Sequence, residues 1–290
     1  MTDTLMLETP GATLAYDVRG PLPPVDGRPP LFLVGAPMDA SGFATLAEYF
    51  SDRTVVTYDP RGLGRSVRND GREDHTPEQN AEDMHRVIAA LGAGPVEMFA
   101  SSGGAVSALA LVVAHPDDVS TLVAHEPPML AVLPDADRAL AAERDVQMTY
   151  HKEGWGSGMA RFIALTSWQG EFNDDFAAHA APDPAQFGLP TDDDGTRDDP
   201  LLSGTSNAIS RYRPEVRMLA DVPSRVVIAA GIESQGSVTG RTSAAAAEAL
   251  GQEVTMFPSH HAGFLGGEFG QHGEPEAFAA TLRRVLDGGQ

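Results

Sequence analysis

Two adjacent serines, Ser101 and Ser102, lie between an apolar run and a stretch rich in Ala, Val and Leu, in the segment MFASSGGAVSAL. A serine hydroxyl is well placed to attack a carbonyl carbon where a strand turns into a helix within a residue or two, because the side chain then stands clear of the backbone. Such a turn strains the backbone of the nucleophile and brings neighbouring backbone segments close to it. The residues two before and two after the nucleophile must therefore be small. Ser102 meets this condition with Ala100 and Gly104, whereas Ser101 would put Phe99 at a small position. Ser102 is therefore the candidate nucleophile.

Acyl transfer also needs N–H groups that point at the developing oxyanion. Gly103 follows the candidate nucleophile and supplies one such group at the start of the predicted helix. The loop after the third predicted strand reads VGAP, in which Ala36 has a backbone N–H and Pro37 has none. The sequence therefore predicts an oxyanion hole from Ala36 and Gly103.

Acyl transfer by a serine also needs a general base, and an acid that orients this base. His260 and His261 both lie on the loop after the last predicted strand. Glu126 ends the sixth predicted strand, and Glu233 follows a later one. The acid's task is to fix the tautomer of the histidine and to stabilise its imidazolium form. On the residues alone, the acid stays open between Glu126 and Glu233.

The elements that would position these groups follow an alternation of strand and helix patterns, which is typical of a parallel, doubly wound sheet. Short apolar runs such as LFLVGA predict strands buried on both faces, and TPEQ predicts a capped helix start. In the turn-rich stretch after the fourth strand, Arg61 is expected to form a loop-organising ion pair with Asp59. We expect an α/β core at 1–128 and 222–290, with a helical cap or lid at 129–221.

Together these segments resemble the α/β-hydrolase superfamily over nearly the whole chain. The resemblance rests on VGAP, on DPRGLGRS at 59–66, on the turn at Ser102, on the helical insert and on FPSHHAGF at 257–264. It implies the α/β-hydrolase fold, a mostly parallel, doubly wound sheet with an inserted helical cap. The family pattern of Pro, a small residue, any residue and His ends at His261, which implies that His261 is the base and His260 a wall of the pocket.

The resemblance also bears on the acid. Many members of the superfamily carry an Asp at the position that Ser234 occupies here, next to Glu233. The zearalenone-type lactone hydrolases instead place the acid after the sixth strand, in a His-Glu-x-Pro run that follows a small-Ser-Ser-Gly turn. The run AHEPP lies at comparable spacing from Ser102. This likeness favours Glu126 as the acid.

The expected function is a serine hydrolase that cleaves a carboxylic ester or lactone through an acyl-enzyme, without a cofactor. The substrate is expected to be an apolar small molecule, with Trp155, Met159, Trp168 and His260 as candidate binding residues. C–C bond hydrolases and cofactor-free haloperoxidases use the same turn, and some α/β-hydrolase folds are ligand receptors without turnover. These three functions remain as alternatives.

Composition excludes several other classes of function. With 20 basic and 41 acidic residues the formal charge is −21, which disfavours nucleic acid and membrane partners. The absence of cysteine excludes disulfides, thiolate catalysis and Cys-ligated zinc, and no metal site is expected. No apolar run approaches the ~18 residues of a membrane helix, and the first residues do not read as a secretion signal. We expect a cytoplasmic protein, and a homodimer is left open.

Overall fold

A single twisted sheet forms the centre of the protein. The computed structural model describes residues 2–25 and 27–289, and within them nine strands pair in the order β1-β2-β4-β3-β6-β7-β8-β9, with β5 on β2. The pairs made by β2 are antiparallel and the others are parallel. The strands are β1 (Thr2–Thr9), β2 (Ala12–Arg19), β3 (Leu31–Ala36), β4 (Val55–Tyr58), β5 (Val67–Arg68), β6 (Val96–Ser102), β7 (Val119–His125), β8 (Arg225–Gly231) and β9 (Thr255–Phe257).

Helices cover both faces of this sheet. Buried residues of α2, α3 and α9 pack on one face, and those of α1 and α10 pack on the other. Among the described residues, no helix combines the length and the apolarity that spanning a bilayer requires. The helices are α1 (Ala44–Glu48), α2 (Pro77–Leu91), α3 (Gly103–Ala114), α4 (Ala136–Glu153), α5 (Trp155–Ser167), α6 (Asp174–Ala178), α7 (Asn207–Ser210), α8 (Val216–Asp221), α9 (Val238–Ala249) and α10 (Pro275–Leu286).

Strand β3 shows why the central strands are apolar throughout. Successive side chains of a strand point to opposite faces of the sheet. Leu31 and Leu33 accordingly join the core beside α1 and α10, while Phe32 and Val34 join the core beside α2 and α3. Both faces are buried, so no position on this strand favours a polar residue. The predicted α/β fold with a mostly parallel, doubly wound sheet is confirmed.

Helix α2 begins and ends where its local signals predict. The Thr76 hydroxyl accepts a hydrogen bond from the backbone N–H of Gln79 at 3.2 Å, and Pro77 occupies the first helical position. Gly92 ends the helix in the left-handed conformation with φ of 62°. Since glycine adopts that conformation without steric cost, the helix stops there.

The segment 129–221 contains only helices as regular elements in the part of the chain that the structure describes. Helices α4 and α5 share a small apolar core of their own, to which Val146, Tyr150 and Leu165 belong. Ile209 of α7 and Leu219 of α8 instead join the core of the sheet on the α3 side. The apolar side chains of α7 and α8 therefore pack on the sheet.

The predicted partner of Arg61 is wrong. Its guanidinium binds the carboxylate of Asp83 on α2 with two hydrogen bonds, of 2.8 and 2.6 Å. Asp59 instead accepts hydrogen bonds from the backbone N–H of Ala40 at 2.9 Å and from the Arg65 side chain at 2.7 Å. Asp83 lies 22 positions beyond Arg61, so only the packing of α2 against the loop brings them together.

Candidate active site

Ser102 lies at the junction of β6 and α3, where the chain changes direction within one residue. Its backbone has φ of 57° and ψ of −131°, a conformation that non-glycine residues rarely adopt. Strain of this kind costs about 1–3 kcal/mol and persists only where the surrounding structure enforces it. The hydroxyl-bearing residue is thereby held at the carboxyl end of the sheet and lines a cavity there.

Close approach of β3 explains the small residues that follow Ser102. A Cβ on Gly104 would come within 2.8 Å of the Cα of Gly35, and one on Gly103 within 2.9 Å of the carbonyl oxygen of Ala36. Ala36 and Ser102 are paired across the sheet. Gly103 opens α3, where the first backbone N–H groups have no acceptor within the helix. The two residues predicted for the oxyanion hole therefore lie beside each other and beside Ser102.

Glu126 and His261 form a direct hydrogen bond. The Nδ1 atom of His261 lies 2.7 Å from Oε2 of Glu126. Glu126 also accepts hydrogen bonds from the backbone N–H of Gly231 at 2.8 Å and from the hydroxyl of Thr239 at 2.5 Å. If Nδ1–H donates to the carboxylate, the neutral imidazole carries its lone pair on Nε2. This is the arrangement in which His261 can accept a proton from another group.

Opposing effects act on the pKa of Glu126. Complete burial raises it, because a low-dielectric interior disfavours the charged form, but the hydrogen bond and the charge of His261 lower it. The lowering effects win, and the pKa of Glu126 lies well below its ordinary value. A buried carboxylate that stays ionised is suited to stabilise an imidazolium ion beside it.

The loop that carries His261 is held against the end of β8. Ser259 has a positive φ of 66°, and a Cβ on Gly231 would come within 2.6 Å of the Ser259 carbonyl oxygen. The backbone N–H of Glu233 donates to the same oxygen at 3.1 Å. Only glycine at 231 therefore allows the loop to approach closely enough for His261 to reach Glu126.

The other two polar candidates line the same cavity in different ways. Glu233 is exposed, and within the described residues its carboxylate makes no hydrogen bond to His261. His260 is held by its own loop, since its Nε2 lies 3.2 Å from the His272 carbonyl oxygen and its Nδ1 accepts from the N–H of Ala262. Of the two predicted acids, the structure brings Glu126 to His261.

A cavity of about 700 Å³ lies between the carboxyl ends of the strands and helices α4, α5 and α7. Ser102, Gly103, Ala36 and His261 all line it. Clefts outside the carboxyl ends of the strands are the usual ligand sites of open α/β sheets, and this volume lies in the range of small-molecule pockets. The predicted nucleophile, base and oxyanion-hole residues therefore line one cavity.

The three aromatic and methionine residues predicted to bind substrate lie elsewhere. Trp155 and Met159 lie in the first half of α5, while the cavity is lined from Phe162 onward. Trp155 donates its indole N–H to Asp199 at 2.8 Å, and Trp168 packs edge-on against a phenylalanine of α6 with ring centroids 5.2 Å apart. All three pack on the apolar core that α4 and α5 share. Sequence spacing could not reveal which part of α5 the cavity reaches.

One residue of the site carried no functional expectation. His125 is completely buried next to Glu126, and its Nδ1 lies 3.1 Å from the hydroxyl of Ser101. Its Nε2 has no hydrogen-bond partner among the described residues and lies 3.9 Å from Oε1 of Glu126. Its ring is nearly parallel to that of His261, with centroids 6.1 Å apart. Burial is the main cause that lowers the pKa of His125, to about 4, so it is neutral near pH 7.

Comparison with known proteins identifies the family. A sequence profile described as "alpha/beta hydrolase fold" matches residues 30–186, which is more than half of the 290 residues. The chain belongs to the α/β-hydrolase fold family. This agrees with the strand order and with the turn at Ser102, and it confirms the superfamily resemblance of the sequence.

Two curated relatives of this α/β hydrolase align over shorter stretches. It is 38% identical to the uncharacterized hydrolase YraK of Bacillus subtilis over 128 residues, 44% of this chain and 45% of YraK. It is 36% identical to the putative carbamate hydrolase RutD of Caulobacter segnis over 112 residues, 38% of this chain and 41% of RutD. The alignments therefore span less than half the length of these curated relatives.

Solved structures share the fold over nearly the full chain. An esterase from Thermogutta terrifontis superimposes with a TM-score of 0.64 at 21% identity, covering 99% of this chain and 98% of the esterase. An enol-lactonase from Burkholderia xenovorans gives 0.62 at 19% identity, covering 98% and 100%. At such low identity, these likenesses show the fold alone.

Proposed function

We propose that this α/β hydrolase is a serine hydrolase that cleaves a carboxylic ester or a lactone through an acyl-enzyme. Ser102 is the nucleophile, His261 the base and Glu126 the acid. The N–H groups of Ala36 and Gly103 form the oxyanion hole. The observation that carries the proposal is the 2.7 Å hydrogen bond between His261 and Glu126, beside a cavity that both His261 and Ser102 line.

In the first half-reaction, the oxygen of Ser102 attacks the carbonyl carbon of the substrate while Nε2 of His261 takes the hydroxyl proton. The carbonyl oxygen becomes an oxyanion, which the N–H groups of Ala36 and Gly103 stabilise. The buried carboxylate of Glu126 stabilises the imidazolium that forms. When the tetrahedral intermediate collapses, the leaving alcohol takes the proton from His261, and the acyl group stays on Ser102.

In the second half-reaction, His261 takes a proton from water as the water oxygen attacks the acyl carbonyl. The same oxyanion hole acts again. Collapse of this intermediate breaks the bond to Ser102, whose oxygen recovers the proton from His261, and releases the carboxylic acid. In a lactone, the alcohol and the acid remain one molecule, so its hydroxy acid is the single product.

The relatives suggest which carbonyl compounds to test. A carbamate also has an acyl carbon that a serine can attack, and the RutD of Caulobacter segnis is named a putative carbamate hydrolase. Carbamate cleavage by the same residues is therefore the second candidate. An esterase and an enol-lactonase share this fold, and the fold is therefore compatible with ester or lactone cleavage by this protein.

Hydrolysis of a substrate panel tests the proposal. We expect purified protein to cleave aryl esters or lactones, and Ser102→Ala to lose at least about 10³-fold in kcat. Ser120→Ala is the matched control. Ser120 lies at the amino-terminal end of β7, whereas Ser102 lies at the carboxyl end of β6, and the Ser120 hydroxyl donates a hydrogen bond to the carbonyl oxygen of Val96. Cleavage of carbamates alone would favour the second candidate. Turnover that survives in Ser102→Ala would refute the mechanism.

A further inference from the structure

A polar group of side chains from α4 and α7 forms one wall of the cavity. Glu143 and Gln147 of α4 line it together with Asn207 and Ser210 of α7. The two amides bond each other, with Nε2 of Gln147 donating to Oδ1 of Asn207 at 2.5 Å and Nδ2 of Asn207 donating back at 3.4 Å. These two amides are therefore largely satisfied within the protein.

Glu143 is different, because one of its oxygens has no partner. Its Oε2 atom is buried and makes no hydrogen bond with the described residues. The guanidinium of Arg211 lies 4.0 Å from it, beyond hydrogen-bond distance. A buried polar atom without a partner costs free energy, and native proteins nearly always supply one. Glu143 lines the cavity, so a small rotation of its carboxyl group would bring Oε2 to the cavity surface, where a bound ligand can supply the missing partner.

Apolar side chains also line the cap side of the cavity, beside polar ones such as Thr166 and Gln169. Val146 lies about one helical turn after Glu143 on α4, and Phe162 and Leu165 of α5 line the same cavity. Sites of this kind bind an apolar ligand body and fix its orientation through a few polar groups. Glu143 is a polar group of that kind, on a different helix from the catalytic serine and on a different loop from His261.

We propose that Glu143 is a specificity-determining residue that binds a hydroxyl group on the substrate. The substrate class is then an apolar ester or lactone that carries a hydroxyl remote from the carbonyl group. A hydroxyl fits better than an ammonium group because Arg211 already places a cation 4.0 Å from the same oxygen. A carboxylate oxygen accepts a hydrogen bond from a hydroxyl group. Burial also raises the pKa of Glu143 above its ordinary value. This inference rests on the proposed function.

Matched ester pairs test the subsite. The probes are methyl esters of ω-phenylalkanoic acids of increasing chain length and their para-hydroxyphenyl counterparts. At one chain length, we expect kcat/KM to favour the hydroxylated ester by about 10–100-fold, the range for one buried hydrogen bond. In Glu143→Leu this preference should vanish, while the unhydroxylated ester is cleaved at least as well. Glu143→Gln, which keeps an acceptor and a donor, should retain part of it.

Glu153→Leu is the matched control, since Glu153 ends the same helix but is exposed and paired with Lys152. It should keep the full preference for the hydroxylated ester. Equal kcat/KM for both esters at every chain length in the unmodified protein would overturn the subsite. A preference that survives in Glu143→Leu would overturn it as well.

Binding to Ser102→Ala separates this inference from the proposed function. Absence of hydrolysis of every ester would count against the proposed function alone. Calorimetry with the same ester pairs would then decide on the subsite. We expect Ser102→Ala to bind the hydroxylated ester at least about tenfold tighter and the Ser102→Ala, Glu143→Leu double variant to bind both alike. Equal affinities in Ser102→Ala, or no binding of either ester, would overturn the subsite.

Discussion

Two serines that are neighbours in the chain have opposite environments. Ser101 is buried and bonds the Nδ1 atom of His125, whereas Ser102 occupies the strained turn and faces the cavity. The difference follows from the alternation of a strand, which sends consecutive side chains to opposite sides. It explains why only Ser102 is placed to meet a substrate.

The identity of the acid leads to a residue-scale prediction. We expect Glu126→Gln to lower kcat by about 10³–10⁴-fold, because the amide cannot hold the Nδ1–H tautomer of His261 or stabilise the imidazolium. Glu233→Gln should keep kcat within about tenfold, since the Glu233 carboxylate is exposed and does not contact His261. Steady-state kinetics on one aryl ester checks both. A large loss in Glu233→Gln alone would assign the acid to Glu233.

Buried His125 leads to a prediction about stability. Its pKa is about 4 in the folded protein against an ordinary value of 6.5, so the unfolded chain binds more protons between these values. The free energy of unfolding must then fall as the pH drops from about 6.5 to about 4, by about 3 kcal/mol from this group. In His125→Asn, which keeps an acceptor for Ser101, denaturant unfolding should show a smaller fall.

The exposed His179 provides the control for that measurement. His179→Asn should leave this pH-dependent fall in stability unchanged, because the side chain of His179 is exposed rather than buried. If His125→Asn loses as much stability as the unmodified protein over this pH interval, His125 is not the group responsible.

Local sequence carries some of the site but not all of it. The turn at Ser102 could be predicted because its steric demand falls on the next few residues, such as Gly104. His125 gave no such signal, since its environment depends on burial and on contacts with His261, on the loop after β9, and with Phe278 of α10. Trp155 and Met159 were assigned to the cavity by residue type alone. Their actual packing depends on how α5 lies on α4, which spacing along the chain does not encode.

At the scale of elements, the strands and helices of the sheet were the easiest to predict. Their signals are local, such as the cap at Thr76 and the glycine at 92 that end α2 on either side. Strand β5 was missed because it is two residues long and exists only through its pairing with β2. Within the segment predicted to be helical at 129–221, Pro214 separates α7 from α8. A proline disfavours a helical conformation in the residue before it.

The buried ion pair of Arg61 and Asp83 joins α2 to the loop after β4, and it supports an element-scale prediction. Both side chains are at most 1% exposed. Arg61→Met or Asp83→Leu alone should lower the free energy of unfolding by about 3–5 kcal/mol. Each removes both short hydrogen bonds and leaves one buried charge with only a longer ion pair, to Asp70 at 3.4 Å or to Arg86 at 3.9 Å. The double variant should recover much of this loss. Denaturant unfolding measures all three.

The exposed pair of Arg138 and Asp174 is the control, with side chains 54% and 96% exposed. Arg138→Met should change the free energy of unfolding by less than about 1 kcal/mol. Single variants of the buried pair that unfold like this control would contradict the role of Arg61 and Asp83 in holding α2.

At the scale of the whole molecule, the net charge of −21 should affect the rate at which charged substrates bind. The negative potential concentrates cations near the surface, and salt screens it, with a screening length of ~30 Å at 0.01 M and ~10 Å at 0.1 M. For acetylthiocholine, kcat/KM should fall several-fold over this range of ionic strength. For the neutral analogue in which carbon replaces the ammonium nitrogen, kcat/KM should stay constant. Equal salt dependence of the two esters would contradict this expectation.

Labelling with a fluorophosphonate, followed by intact-mass measurement and peptide mapping, tests the central assignment most directly. The hydroxyl that performs acyl transfer is the one activated toward phosphorus as well. We expect one adduct on the unmodified protein, located at Ser102, and the same adduct on Ser101→Ala. Ser102→Ala should give none, and Glu126→Gln should react more slowly. An unmodified protein that forms no adduct, or an adduct that persists in Ser102→Ala, would contradict the assignment of Ser102 as the nucleophile.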